Sequence, residues 1–207
     1  MKDRILIGMS KFLSRARACT RTEGAKIALI ICTLSFGTTT ISFALNGALQ
    51  QAANTITDAK LNICLPAIEK LGRSKDASAV APLINAYAAE QRPLVRRYIV
   101  DALGLLKNNA AIPTLDQALQ DPDIQIRQSA VAALSLISSP AAHDLLIKAA
   151  SQEKDASVKR HLAHALGHSS HPKAGQALQK LAGDADPDVR RLAQNGLQYQ
   201  QKQKEAK

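Results

Sequence analysis

Four of the five histidines crowd into one stretch, as His161, His164, His168 and His171. The first three are spaced i, i+3, i+7, so a helix brings them near one face, and imidazole nitrogen is a common metal ligand. No Asp, Glu or Cys stands among them, and a helix here ends near Gly167. His161 also lies beside an apolar stripe. The expected reading is therefore ordinary surface and packing histidines, with no metal and no cofactor. The cysteines Cys19, Cys32 and Cys64 are too scattered for a disulfide framework or a paired metal or redox motif. The chain carries no Gly-rich phosphate loop, and no serine or cysteine is placed with a partner base, so no catalytic residue is expected.

A second constellation is basic: Arg96-Arg97, Arg127, Lys159-Arg160 and Arg190-Arg191. The second place of each pair and the residue four later give Arg97 with Asp101, Gln128 with Ala132, Arg160 with His164, and Arg191 with Asn195. Arg97, Asp101, Gln128, Arg160, His164, Arg191 and Asn195 are the candidate partner-binding residues. Their face is polar, mildly basic and poor in aromatics. That suits a protein partner with an acidic or polar surface, and argues against nucleic acid, which wants stacking platforms, and against a small-molecule substrate.

The net charge of +10 on 207 residues belongs mostly to the ends. Residues 1–26 carry seven basic and two acidic side chains, whereas Asp58 to Gln198 holds seventeen and fourteen. The basic pI is thus weak support for nucleic-acid binding. Aromatics make up 3% of the chain and tryptophan is absent, so alanine and leucine must fill the core. Such a core suits packed helices better than a sheet.

What positions these residues is a repeat. VRRYIVDALG begins at Val95, IRQSAVAALS at Ile126, VKRHLAHALG at Val158 and VRRLAQNGLQ at Val189, in steps of 31, 32 and 31. An independent set, Ile84, Leu115, Ile147 and Leu178, keeps the same steps, so each unit is a pair of helices. Within second helices the apolar residues fall at i, i+4, i+7, i+8, as in Val95, Ile99, Ala102 and Leu103, which makes one stripe. The small third residue (Ala102, Ala133, Ala165, Gly196) lets a neighbouring helix approach closely. Asp123, Asp155 and Asp186 stand where a carboxylate caps a helix start, and Pro93 and Pro187 occupy first helical positions. Gly104 and Gly167 fall near helix ends, and first helices start near Ser78, Asn109, Ser139 and Ser170.

Asp-x-x-Val-Arg-Arg leading into Ala-Leu-Gly on this period resembles the HEAT-like repeats of the phycobilisome-lyase type, over residues 75–198. The resemblance implies an all-α, right-handed solenoid of stacked helix pairs (HEAT/ARM-like) whose second helices line the concave face. It also implies that the first member of each basic pair reaches aspartates at adjacent helix starts. On function the motif is nearly silent. The family includes bilin lyases, scaffolds, adaptors and metal-dependent hydroxylases built on His-Glu dipeptides; no His-Glu dipeptide occurs here. The expected function is a non-enzymatic scaffold binding a protein partner, with a lyase-like or chaperone-like accessory factor as the alternative.

Ahead of the repeats lie a basic segment (1–26), an apolar run (27–49) and a linker with a degenerate half-repeat (50–74); a charged tail (199–207) follows. No charge occurs from Ile27 to Thr57, and Ile27 to Leu45 spans about 28 Å as a helix, close to bilayer thickness. With seven basic residues ahead of it, the positive-inside rule keeps the N-terminus cytoplasmic and sends the repeats to the extracytoplasmic side. The run reads either as an uncleaved signal anchor or as a signal peptide cleaved after Ser42-Phe43-Ala44. Full-length protein should accordingly sediment with membranes and resist carbonate extraction, and a reporter fused after Asp58 should read from the non-cytoplasmic side. A mature N-terminus at Leu45 would replace the anchor by the cleaved signal.

Overall fold

The computed structural model describes residues 51–52, 55–56 and 60–205. The proposed membrane or signal helix at 27–49 lies outside the described residues; among those described, no helix is long and apolar enough to cross a membrane. All regular structure among them is helical. The helices are α1 (Leu61–Arg73), α2 (Val80–Ala89), α3 (Pro93–Leu106), α4 (Ile112–Ala118), α5 (Ile124–Ile137), α6 (Pro140–Gln152), α7 (Ala156–Gly167), α8 (Ala174–Leu181) and α9 (Pro187–Glu205). They form four pairs, α2–α3 through α8–α9, behind the half-unit α1. Ala52 and Ile56, in the expected linker, are buried and belong to the same apolar core.

The caps follow the sequence with local variation. Asp123 accepts from the Gln125 amide (2.7 Å), Asp155 from those of Ser157 and Val158, and Asp186 from that of Val189 (2.9 Å). The first helices of the first two units open through a 3-10 turn, capped by Asp76 and Asn108, and Ser139 caps α6. In the fourth unit the helix starts only at Ala174, after the turn that holds Pro172. Gly104 and Gly167 are not left-handed caps: Lys107 and Ser138 take positive φ at the ends of α3 and α5.

Those glycines set the helix spacing instead. The second helices run in one layer, α1 against α3, α3 against α5, α5 against α7 and α7 against α9. A Cβ at Gly72 would come within 2.8 Å of the Ala102 Cα, one at Gly104 within 2.6 Å of the Ala133 Cα, and one at Gly167 within 2.9 Å of the Gly196 Cα. Each crossing therefore brings backbone onto backbone. Ser135 occupies the corresponding place in α5, and α5 with α7 shares the least contact of the four neighbouring pairs. First helices touch one another far less than second helices do. Tighter spacing in the second-helix layer makes that layer the concave side.

At α9 the stack ends. Val100, Val131 and Ala163, buried against the next helix, give way to the exposed Gln194, and the glycine register ends at Gln198. The expected charged tail does not leave the body there but continues α9 as far as Glu205. The Gln200 Nε2 donates to the Leu166 and Ser169 carbonyls (2.8 and 3.2 Å), closing the C-terminus of α7.

A ladder of charge ties the units together. Arg96 pairs with Asp121 (2.6 Å), Arg127 with Glu153 (3.0 Å) and Lys159 with Asp184 (2.6 Å), as the resemblance implies, although the acids stand two residues ahead of the cap. Glu90, Asp121, Glu153 and Asp184 repeat in steps of 31, 32 and 31. Each also accepts from the backbone amide two residues on. Arg127 and Arg190 reach back as well, to the carbonyls of residues 121–122 and 184–185. The loops' polar groups are thereby satisfied away from bulk water. Tyr87 joins the first rung: its hydroxyl accepts from Arg96 (2.9 Å) beneath a guanidinium 4.7 Å from its ring.

Two outcomes follow. Gly104→Val should lower stability by about 2–3 kcal/mol or more, since the Ala133 Cα and Cβ stand in the way and neither can swing aside, while Gly175→Ala, which meets only the Gln200 side chain at 3.4 Å, should not destabilise; thermal melts distinguish them. The second outcome concerns acid. Arg92 holds the Glu90 carboxyl at about 2. The Lys159 hydrogen bond lowers Asp184, the Ser157 hydroxyl lowers Asp155, and the Val189 amide lowers Asp186. Glu153 is lowered too: burial pushes it up, but the Asp155 amide and Arg127 outweigh that. Carboxyls depressed in the folded state stabilise it above their unfolded values near 4, and that stability disappears as pH falls through the folded values. The melting temperature should hold from neutral pH to about 5 and then drop towards pH 2. Glu153→Gln should lower it at pH 7 and make the acid drop shallower.

Candidate functional site

The seven candidate residues lie on the second helices, and the fold brings three of them, Arg97, Asp101 and Gln128, into one groove. Arg97, Asp101, Gln128 and Ala132 line a shallow groove of about 310 Å³ across α3 and α5, with Gln125, Ser129 and His161. Arg160, His164, Arg191 and Asn195 hold the same register on α7 and α9, so each helix contributes one position per rank.

These side chains are engaged in bonds of their own. Arg97 Nη1 donates to Gln125 Oε1 (3.0 Å), Gln128 Nε2 to Ser157 Oγ (2.9 Å) and Arg160 Nη2 to Asp186 Oδ2 (3.2 Å). Each of these three therefore reaches the N-terminal turn of the next second helix. Arg191 pairs within its own helix with Asp188 (3.0 Å), which also lies 4.0 Å from Arg160. Arg97, Gln128 and Arg160 thus form a second inter-unit ladder, and its spacing is fixed before any partner arrives. Two of the three arginines in this register face carboxylates, which makes the groove less basic than the sequence implies. Arg97 forms no ion pair among the described residues. Its neighbour Asp101 has a raised pKa, because the groove walls strip hydration from the carboxyl; the Ser129 hydroxyl and the Arg97 charge act the other way.

The histidine cluster divides. His161 uses Nδ1 against the Ser157 carbonyl (2.8 Å). His164 and His168 stack with centroids 4.8 Å apart, and His168 meets the edge of Tyr199 at the same distance. His171 sits elsewhere, 3.4 Å from Asp144 and 6.1 Å from the buried His143 ring. Burial, then the neighbouring His171 charge, holds His143 below the usual imidazole range. Among the described residues no three His, Cys, Asp or Glu side chains converge as a metal site would require. Cys64 is buried and unpaired.

The helical stripe gives no hint of one further rank. Leu105, Leu136, His168 and Tyr199 stand four residues beyond Asp101, Ala132, His164 and Asn195, and all four are exposed. The signal that finds them is the repeat period itself.

Solved structures share this architecture. The complex of CpcE and CpcF of phycocyanin lyase from Nostoc sp. PCC7120 contains a chain that superposes with a TM-score of 0.60 at 25% identity, over 73% of this chain and 64% of that one. The protein therefore spans less than two thirds of the lyase chain. An engineered protein superposes at 0.53 with 21% identity, over 75% of this chain and 80% of that one. A designed armadillo repeat protein in complex with the peptide (KR)4 also reaches 0.53, with 18% identity, over 87% and 95%; these last two show the fold alone. No curated protein matches the sequence. The profile of HEAT repeats matches residues 48–135 and 112–198, and with the all-helical stack, the glycine crossings and the charge ladder this makes the chain a member of the HEAT-repeat family.

Proposed function

We propose that the protein is a membrane-targeted, non-enzymatic scaffold that holds a protein partner along the concave second-helix face. The observation that carries this reading is the polar rank Arg97, Gln128 and Arg160, held at unit spacing by bonds to the next second helix, with Arg191 in the same register on α9. Preorganised donors cost little ordering entropy when a partner binds. Arg97, with Asp101 beside it, offers donor and acceptor together, which suits a polar protein surface with an acidic group over α3. Bases would find a near-neutral groove with few stacking rings. Targeting rests on the apolar run 27–49 and the basic residues ahead of it, and places the repeats on the extracytoplasmic side.

The similarity to the phycocyanin lyase complex supports a second reading, an accessory factor that handles a cofactor-bearing protein on the same face. The identity of the captured partner separates the two.

The test is capture from native membranes by the full chain. Arg97→Gln with Arg191→Gln leaves the Arg160–Asp186 bond intact, and should keep the melting temperature while weakening capture roughly tenfold, more so at low salt. Undiminished capture would move the site off this face.

A further inference from the structure

Leu105, Leu136, His168 and Tyr199 repeat in steps of 31, 32 and 31; the first three stand at the C-terminal ends of α3, α5 and α7, and Tyr199 at the same register within the longer α9. Three of them are large apolar side chains left 47%, 41% and 44% exposed. In a chain this poor in aromatics, the fourth place also carries a ring, which packs against Tyr199. One exposed apolar side chain is unremarkable, but three of four units carrying one at a fixed register, with a ring at the remaining place, make an edge. The rank ends at a hollow of about 330 Å³ lined in part by His168, His171, Tyr199 and Lys204.

Eight residues separate this rank from Arg97, Gln128, Arg160 and Arg191, which is about 12 Å along a helix at 1.5 Å per residue. Between the two ranks, in the same register, lie Asp101, Ala132, His164 and Asn195. The separation of the ranks along the helix matches the 10–12 Å diameter of one α-helix. Across the stack, neighbouring second helices lie about 8–10 Å apart. A helical ligand advances about 10.5 Å in seven residues, so its i and i+7 side chains meet successive leucines, with i+3 or i+4 between them. An extended ligand presents same-side residues every ~6.6 Å, short of the spacing between successive leucines, so consecutive same-side residues do not meet consecutive units. Charge fixes the orientation of the polar edge. Arg160 and Arg191 are already in ion pairs, whereas Arg97 bonds the neutral Gln125 amide, lies over the Tyr98 ring and feels Asp101 only as a nearby charge, so an acidic side chain belongs over α3.

We propose that the concave face takes an amphipathic α-helical segment of a partner protein, its apolar stripe on Leu105, Leu136 and Tyr199 and an acidic flank residue on Arg97. This rests on the concave-face reading above and adds the form of the partner.

The experiment selects random sixteen-residue peptides on the immobilised full chain and measures the winners by fluorescence anisotropy. Expected winners carry apolar residues at i, i+3 or i+4, and i+7 with a Glu or Asp on one flank, and gain helical signal on binding. Leu105→Ser with Leu136→Ser should weaken them at least tenfold without changing the melt. Leu61→Ser, comparably exposed at 40% on α1 but outside this rank, should keep affinity within twofold. Winners with period two, or winners indifferent to the leucine pair, overturn the helical partner. Indifference to the leucines combined with loss in Arg97→Gln overturns it while leaving the scaffold reading intact. Indifference to both, or no enrichment at all, removes both.

Discussion

Everything in this fold depends on how closely one second helix can approach the next. Where Gly72, Gly104 and Gly167 face Ala102, Ala133 and Gly196, the backbones touch, and even a methyl group at the glycine would collide with the facing helix. The close approach lets a lysine or arginine on one helix reach the loop before the next. It draws the second-helix layer tighter than the first-helix layer and so curves the stack. It also aligns equivalent side chains into ranks. A unit standing alone would leave its apolar stripe in water, so the crossings are where the units stabilise one another.

The charge ladder answers the problem created by that packing. Loops between paired helices carry free amides and carbonyls, and the neighbouring unit shields them from solvent. One acid per loop takes up amides, and one base per helix takes up the acid and, in two units, loop carbonyls too. In the first unit Glu90 turns to Arg92, two residues on. Opposite ends of the stack thus differ chemically although their backbones are alike.

Much of the architecture was legible in the sequence because repetition encodes it. The period, the pairing of helices, the aspartate caps and the reach of Arg96, Arg127 and Lys159 were all visible from spacing or resemblance. What was hidden depends on contacts across units. The acid register Glu90, Asp121, Glu153 and Asp184 obeys the period but mixes two residue types, so it has no single-letter signature. That Arg97, Gln128 and Arg160 are bonded forward could not be read from their own helices, because their partners lie 26 to 29 residues on. Gly104 and Gly167 looked like helix caps because a glycine near a helix end usually is one; here the neighbouring backbone gives the reason instead. The histidine spacing was real on a helical wheel, yet His161 and His171 turned to local partners.

The serine at position 135 makes the stack mechanically uneven. Its hydroxyl donates to its own helix, at the Ala132 carbonyl (2.8 Å), and its bulk holds α7 off where glycine would admit it. A chain of stiff couplings with one softer coupling concentrates its bending there, as a spring with one thin coil does. A guest clasped by the concave face would then be met by two firm jaws, α1–α5 and α7–α9, whose opening angle adjusts about a single joint.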